Sequence, residues 1–310
     1  MTGKDDIASR CDRRYFMPTH DPKISTQEIS THDGLTIASL RQRDIQANCN
    51  TRVLCLHGWL DNANSFVPMM PYLPDMDLVA IDLPGHGHSS HLQGAYSVLD
   101  TAVRCLDIAN ALEWDTFHVI GHSLGGSIAL MMAVAAPQRI VSATSIESAG
   151  PLTEAPSKFS ERLQKAADDR AHRNRYASRH YKSRDQAIDA RLKAAKMNRL
   201  SAELIIRRQV QEYDGKWTWR FDSSLRNQSL AYLHEAQVEA ALAAIECRTH
   251  VVIASDGYMV GRDETASRLG QIKQLEITEL PGHHHLHMDT PEPVAAAINR
   301  FLGTQPALGG

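Results

Sequence analysis

Three features of the sequence predict an α/β protein with a parallel, doubly wound sheet. Short, mostly apolar runs of strand length, at 52–56, 77–83, 117–120, 140–146 and 249–254, alternate with segments of helical periodicity such as 98–112. The turn Gly121-His122-Ser123-Leu124-Gly125 stands between one such strand and an apolar helical segment. A histidine-rich loop follows the last strand, so a serine, an acid and a histidine occur in that order along the chain.

The elements follow from this in order. Residues 1–23 lack periodicity and carry Pro18 and Pro22, which predicts an extended N-terminal arm. Two β-rich runs, 24–30 and 35–41, flank Asp33-Gly34, a hairpin signal. The run 52–56 is apolar without alternation, as expected of a strand buried on both faces, and ends in His57-Gly58-Trp59. A glycine there lets the backbone approach a ligand, so the Trp59 N–H is a candidate oxyanion donor beside that of Leu124. The strand at 77–83 runs into Pro84-Gly85-His86-Gly87, a glycine-rich loop without the lysine of a phosphate-binding loop.

Ser123 is the candidate nucleophile. Glycines on both sides permit a sharp strand-to-helix turn, which lifts the hydroxyl clear of the sheet and faces it with the free N–H groups of a helix start. The strand at 140–146 ends at Glu147, a candidate acid, because functional groups gather at the carboxyl ends of such strands. The alternation then breaks. Residues 152–244 read as a mostly helical insertion over the strand ends, with core segments 24–151 and 245–310 on either side. Trp217 and Trp219 are its aromatic concentration, either pocket lining or a packed edge strand. With His57 and His122 they form the candidate substrate pocket. Alternation resumes at 249–254, which leads to Asp256, the second candidate acid.

Composition narrows the function classes. The 310 residues carry a net charge of −3, but between positions 158 and 208 fifteen Lys and Arg face six Asp and Glu. This segment lacks an aromatic platform or nucleic-acid module, so a solvated helix face is expected rather than nucleic-acid binding. Five cysteines without a C-x-x-C pair predict neither a disulfide framework nor a cysteine zinc site. His283-His284-His285-Leu286-His287 has metal-ligand residue types, but without H-E-x-x-H or a cysteine pair no metal and no cofactor are expected. The polar first residues lack a signal-peptide core and the longest apolar run, 128–136, is too short to span a bilayer. The expectation is a cytoplasmic enzyme acting on a small molecule, with no stable membrane insertion and its oligomeric state open.

Together, His57-Gly58-Trp59-Leu60-Asp61-Asn62-Ala63, Asp82-x-Pro-Gly-His86-Gly-x-Ser89, Gly121-His122-Ser123-Leu124-Gly125-Gly126, Ile146-Glu147 and Gly282-His283-His284-His285-Leu286-His287-Met288 resemble the α/β-hydrolase superfamily, and within it the serine hydrolase-like branch. The resemblance spans residues 24–302. It implies a mostly parallel eight-stranded sheet flanked by helices, with a helical cap inserted after the sixth strand. It also implies a Ser-His-acid triad with Ser123 as nucleophile and the Trp59 and Leu124 amides as oxyanion hole. In the family the histidine stands seven residues before a proline of the last helix, which Pro291 assigns to His284, with His283 as fallback. The family's usual acid position falls on Gly257, so Asp256 serves if the loop shifts by one residue. Some members place the acid after the strand preceding the cap, which is Glu147. The implied activity is ester hydrolysis through an acyl-enzyme. Thioester, lactone and C–C bond hydrolysis, or a non-catalytic binding or regulatory role on the same fold, are the alternatives.

Overall fold

The computed structural model describes residues 24–42, 51–74, 76–172 and 180–303. The expected N-terminal arm, 1–23, lies outside them. The hairpin predicted around Asp33-Gly34 is formed by β1 (Ile24–Ser30) and β2 (Thr36–Gln42), paired antiparallel. β3 (Thr51–Leu56), β4 (Met76–Ile81), β5 (Phe117–His122), β6 (Ile140–Ile146), β9 (Arg248–Ala254) and β10 (Leu275–Leu280) complete one eight-stranded sheet in the order β1-β2-β4-β3-β5-β6-β9-β10. From β4 to β10 every neighbouring pair is parallel.

The apolar runs lack alternation because both faces of these strands are covered. Leu54, Leu56, Val79, Ile81 and Val119 point into a core with α1 (Val98–Ala111), α2 (Leu124–Ala135) and α7 (Asp263–Leu269). Val53, Cys55, Leu78, Ala80 and Ile120 point into the opposite core, closed by α9 (Pro291–Leu302) through Val294, Ala295 and Ile298. A short helix, α8 (Leu286–Asp289), precedes α9. This double coverage is the doubly wound α/β arrangement.

Between β6 and β9 lie α3 (Phe159–Ala171), α4 (Arg184–Ala194), α5 (Arg199–Gln209), a hairpin of β7 (Val210–Tyr213) and β8 (Lys216–Trp219), and α6 (Glu235–Ala243). Ala187, Ile188, Ala202, Ile206 and Val210 form a small separate core against which Tyr181, Trp217 and Trp219 pack. By contrast, Val238 and Leu242 of α6 belong to the main core. The expected insertion, 152–244, therefore contains one helix whose apolar side packs with the sheet layers. No helix among the described residues is long and apolar enough to cross a membrane.

α4 and α5 are seated on the loop after β3 by polar contacts. Asn62 Nδ2 donates to the Ile205 carbonyl at 2.9 Å, and Asn64 Nδ2 to that of Leu204 at 2.8 Å. Deeper, Arg208 Nε contacts both carboxylate oxygens of Asp82 at 2.8 Å, and the same carboxylate accepts the Ala63 and His88 N–H groups. Burial opposes ionisation of Asp82, yet Arg208 outweighs it and the pKa is lowered overall. Removing one partner of a buried pair leaves an uncompensated charge. Arg208→Ala is therefore expected to cost about 3–5 kcal/mol of stability, measured by denaturant unfolding.

Candidate active site

The turn after β5 is set by two close approaches. A Cβ at Gly121 would collide with the backbone of Gly125 and Gly126, and one at Gly125 with the Leu56 carbonyl. Only glycine fits either place. Between them Ser123 adopts φ 53° and ψ −114°, a conformation uncommon for a residue with a side chain. Its N–H donates to the Ile146 carbonyl at 2.9 Å, which anchors the turn to the neighbouring strand. Leu124 opens α2, so its N–H has no partner within the helix.

Glu147 is turned in a similar way. It follows β6 at φ 59°, and its N–H donates to the Val252 carbonyl at 2.9 Å. Its carboxylate is almost fully buried. Oε1 accepts the Ala254 N–H at 2.7 Å, while Oε2 accepts the Tyr258 N–H at 2.6 Å. The third donor is His284, whose Nδ1 lies 3.1 Å from Oε2. With its proton on Nδ1, the ring presents a bare Nε2 to the Ser123 hydroxyl at 2.9 Å. Ser123, His284 and Glu147 thus form one continuous hydrogen-bonded chain from three different strand ends.

Asp256, one residue short of the family's usual acid position, is not in that chain. It is exposed, its carboxylate accepts from Ser255 Oγ at 3.2 Å, and its N–H donates to the Gly282 carbonyl. The reason lies at the next residue: a Cβ at Gly257 would land on the Glu147 carboxyl group. The loop after β9 wraps over Glu147 and turns Asp256 outward. Gly257→Ala should therefore push the carboxylate off His284. A displacement of about 1 Å lowers turnover on the order of 100-fold, which steady-state kinetics on the folded variant will test. His283 is also exposed, with Nδ1 3.5 Å from the Asp256 carbonyl, away from Ser123.

Of the four residues expected to line a pocket, His57 and His122 have no face open to a ligand, while Trp217 and Trp219 are half-buried in the insertion. His57 is completely buried; its Nε2 accepts the Leu83 N–H at 2.9 Å and its Nδ1 donates to the Gly58 carbonyl at 2.7 Å, tying the end of β3 to that of β4. His122 is equally buried, and its Nε2–H donates to the His284 carbonyl at 2.8 Å. Burial, with His287, His284 and His285 around it, holds its pKa well below the usual histidine value. Both rings are hydrogen-bonding struts with no face toward solvent. Trp217 and Trp219 pack in the small core of the insertion, where Arg184 lies 4.6 Å over the Trp217 ring. Trp59 does face outward, and its Nε1–H donates to the Leu225 carbonyl of the insertion at 3.1 Å.

Asp61 and its surroundings were not visible as a site in the sequence. Arg191, from α4, reaches Asp61 Oδ1 at 2.5 Å and His285 Nε2 at 3.3 Å. Burial would raise the Asp61 pKa, but the Arg191 guanidinium opposes it and the carboxyl is held well below the usual range. A separation of 130 positions between Asp61 and Arg191 leaves no local signal.

Comparison with known proteins gives a consistent picture. The model of the α/β hydrolase fold family matches residues 51–291. A serine hydrolase-like protein of Danio rerio is 31% identical over 268 residues, 82% of this chain and 82% of that protein. A probable serine hydrolase of Drosophila melanogaster is 31% identical over 266 residues, covering 81% and 80% of the two chains. Among solved structures, a hypothetical protein from Pseudomonas aeruginosa PAO1 superimposes with a TM-score of 0.83 at 30% identity, covering 90% of this chain and 97% of that one.

Proposed function

The chain belongs to the α/β hydrolase fold family, on the branch of the serine hydrolase-like proteins, and from that premise we propose that it hydrolyses a carboxylic ester of a small or medium-sized molecule through an acyl-enzyme. The observation that carries this reading is the hydrogen-bonded chain Ser123 to His284 to Glu147. In the proposed reaction His284 Nε2 takes the Ser123 proton as Oγ bonds to the acyl carbon. The Trp59 and Leu124 N–H groups hold the resulting oxyanion. Collapse expels the alcohol, which takes the proton from His284. Water then attacks the acyl-enzyme with His284 again as base, releasing the acid and restoring Ser123.

Glu147 is the acid of this proposal. Its carboxylate fixes the His284 tautomer and stabilises the imidazolium formed during each half-reaction. A cytoplasmic location belongs to the same proposal, on the strength of Cys55, Cys105 and Cys247 being free thiols.

The test is turnover of p-nitrophenyl esters of increasing acyl length, with Ser123→Ala as control. The reading expects Ser123-dependent hydrolysis with an optimum chain length. Thioesters and lactones in the same panel identify those alternatives by a higher kcat/KM. Binding of the esters without turnover would favour the non-catalytic reading.

A further inference from the structure

We propose that Asp61, His122 and His285 form a binding site for a borderline transition-metal cation such as Zn2+, in competition with the guanidinium of Arg191. The three residues are buried and offer donor atoms that lie within 4.8 Å of one another. Their hydrogen bonding makes the site electron-rich. His122 Nε2 must carry the proton, because it faces the His284 carbonyl at 2.8 Å. The neutral ring therefore aims a bare Nδ1 lone pair at Asp61 Oδ2, 3.9 Å away, and this fully buried atom has no hydrogen-bond partner. Two acceptors face each other with no donor between them, an arrangement that a cation relieves.

His285 completes the set. Its Nε2 stands 3.5 Å from the same Asp61 oxygen and receives Arg191 at 3.3 Å. Metal–donor bonds of about 2.0–2.2 Å at tetrahedral angles separate neighbouring donors by about 3.3 Å. The Asp61–His285 pair is near that spacing, the His122–Asp61 contact of 3.9 Å closes by about half an ångström, and the widest donor pair, within 4.8 Å, by up to about 1.5 Å. Two imidazole nitrogens and one carboxylate oxygen are a donor set suited to Zn2+, Ni2+ or Cu2+ rather than Mg2+ or Ca2+.

Arg191 now supplies the positive charge at this place, and it comes from the insertion while all three donors come from the core. A divalent ion and the guanidinium exclude each other electrostatically. Metal uptake therefore releases Arg191 and loosens α4 from the core, whereas Arg191 docked on Asp61 blocks the ion.

The full chain, stripped of metal by chelation and dialysis, is titrated with Zn2+ by calorimetry and with Co2+ by visible absorption. One saturable site is expected, with the intense visible bands of tetrahedral Co2+ bound through nitrogen. Arg191→Gln should tighten binding on the order of tenfold, while Asp61→Asn and His285→Gln each weaken it at least tenfold. Protease cleavage within the insertion should accelerate on Zn2+ addition. His283→Ala, which alters an exposed neighbour, should leave binding unchanged. Each variant is titrated after circular dichroism shows the native fold, and because Arg191→Gln and His285→Gln shift the affinity in opposite directions, either one that folds keeps the test decisive. Absence of saturable binding, a loss of binding in His283→Ala, or no tightening in Arg191→Gln would each overturn the proposal.

Discussion

Glu147→Gln is expected to lower turnover on the order of 10⁴-fold, while Asp256→Asn changes it less than about twofold. The first effect follows from a count of donors. Three N–H groups, from Ala254, Tyr258 and His284, converge on the two oxygens of one buried carboxylate. A glutamine replaces one oxygen with an NH2 that must face one of these donors. Turned toward Ala254, it leaves that buried N–H unsatisfied, at about 1–3 kcal/mol. Turned toward His284, it forces the proton onto Nε2, and the ring can no longer accept from Ser123. Asp256 has no contact of this kind, since its side chain is exposed beside Ser255. Steady-state kinetics on both variants separate the two acids.

The second large effect is a loss of stability on mild acidification. His57, His86, His122 and His287 are all buried, and all have pKa values lowered by that burial, His86 to about 3. Their unfolded value is about 6.5. Above it neither state binds the proton, and the full stability is present. Below it the unfolded chain takes up protons that the folded chain refuses, so stability falls as pH falls. At pH 5 His86 alone costs about 2 kcal/mol, and His57, His122 and His287 add to it in the same direction. Together such rings are a large share of the stability of an ordinary domain, about 5–15 kcal/mol. Urea unfolding at about pH 7.5 and pH 5 should show the midpoint collapsing well before the carboxylates titrate. A midpoint that is flat over this range would contradict the burial of these rings as neutral groups.

The sheet was legible because its strands announce themselves locally. Val53 to Leu56 is apolar at every position, and the structure gives alternate residues to two different cores. The Ser123 turn was legible for the same reason, since Gly121 and Gly125 are required within five positions of chain. Glu147 was visible as a strand-end acid, but nothing local separates it from Asp256. The choice rests on Gly257, which leaves room for the Glu147 carboxyl group 110 positions away in sequence. The Asp61–Arg191 pair was illegible because core and insertion meet only in the fold. The placement of His57 and His122 is not legible, because a histidine beside a strand-to-helix turn reads the same in sequence whether it faces solvent or braces the backbone. Their hydrogen bonds to Leu83 and to the His284 carbonyl make them braces.

The proposed role of Ser123 as a nucleophile driven by His284 and Glu147 is open to covalent labelling with a fluorophosphonate, followed by mass-spectrometric mapping of the adduct. One adduct is expected, on Ser123, absent in Ser123→Ala, strongly slowed in Glu147→Gln and unaffected in Asp256→Asn. Labelling that persists in Ser123→Ala, or that slows in Asp256→Asn but not in Glu147→Gln, would contradict it.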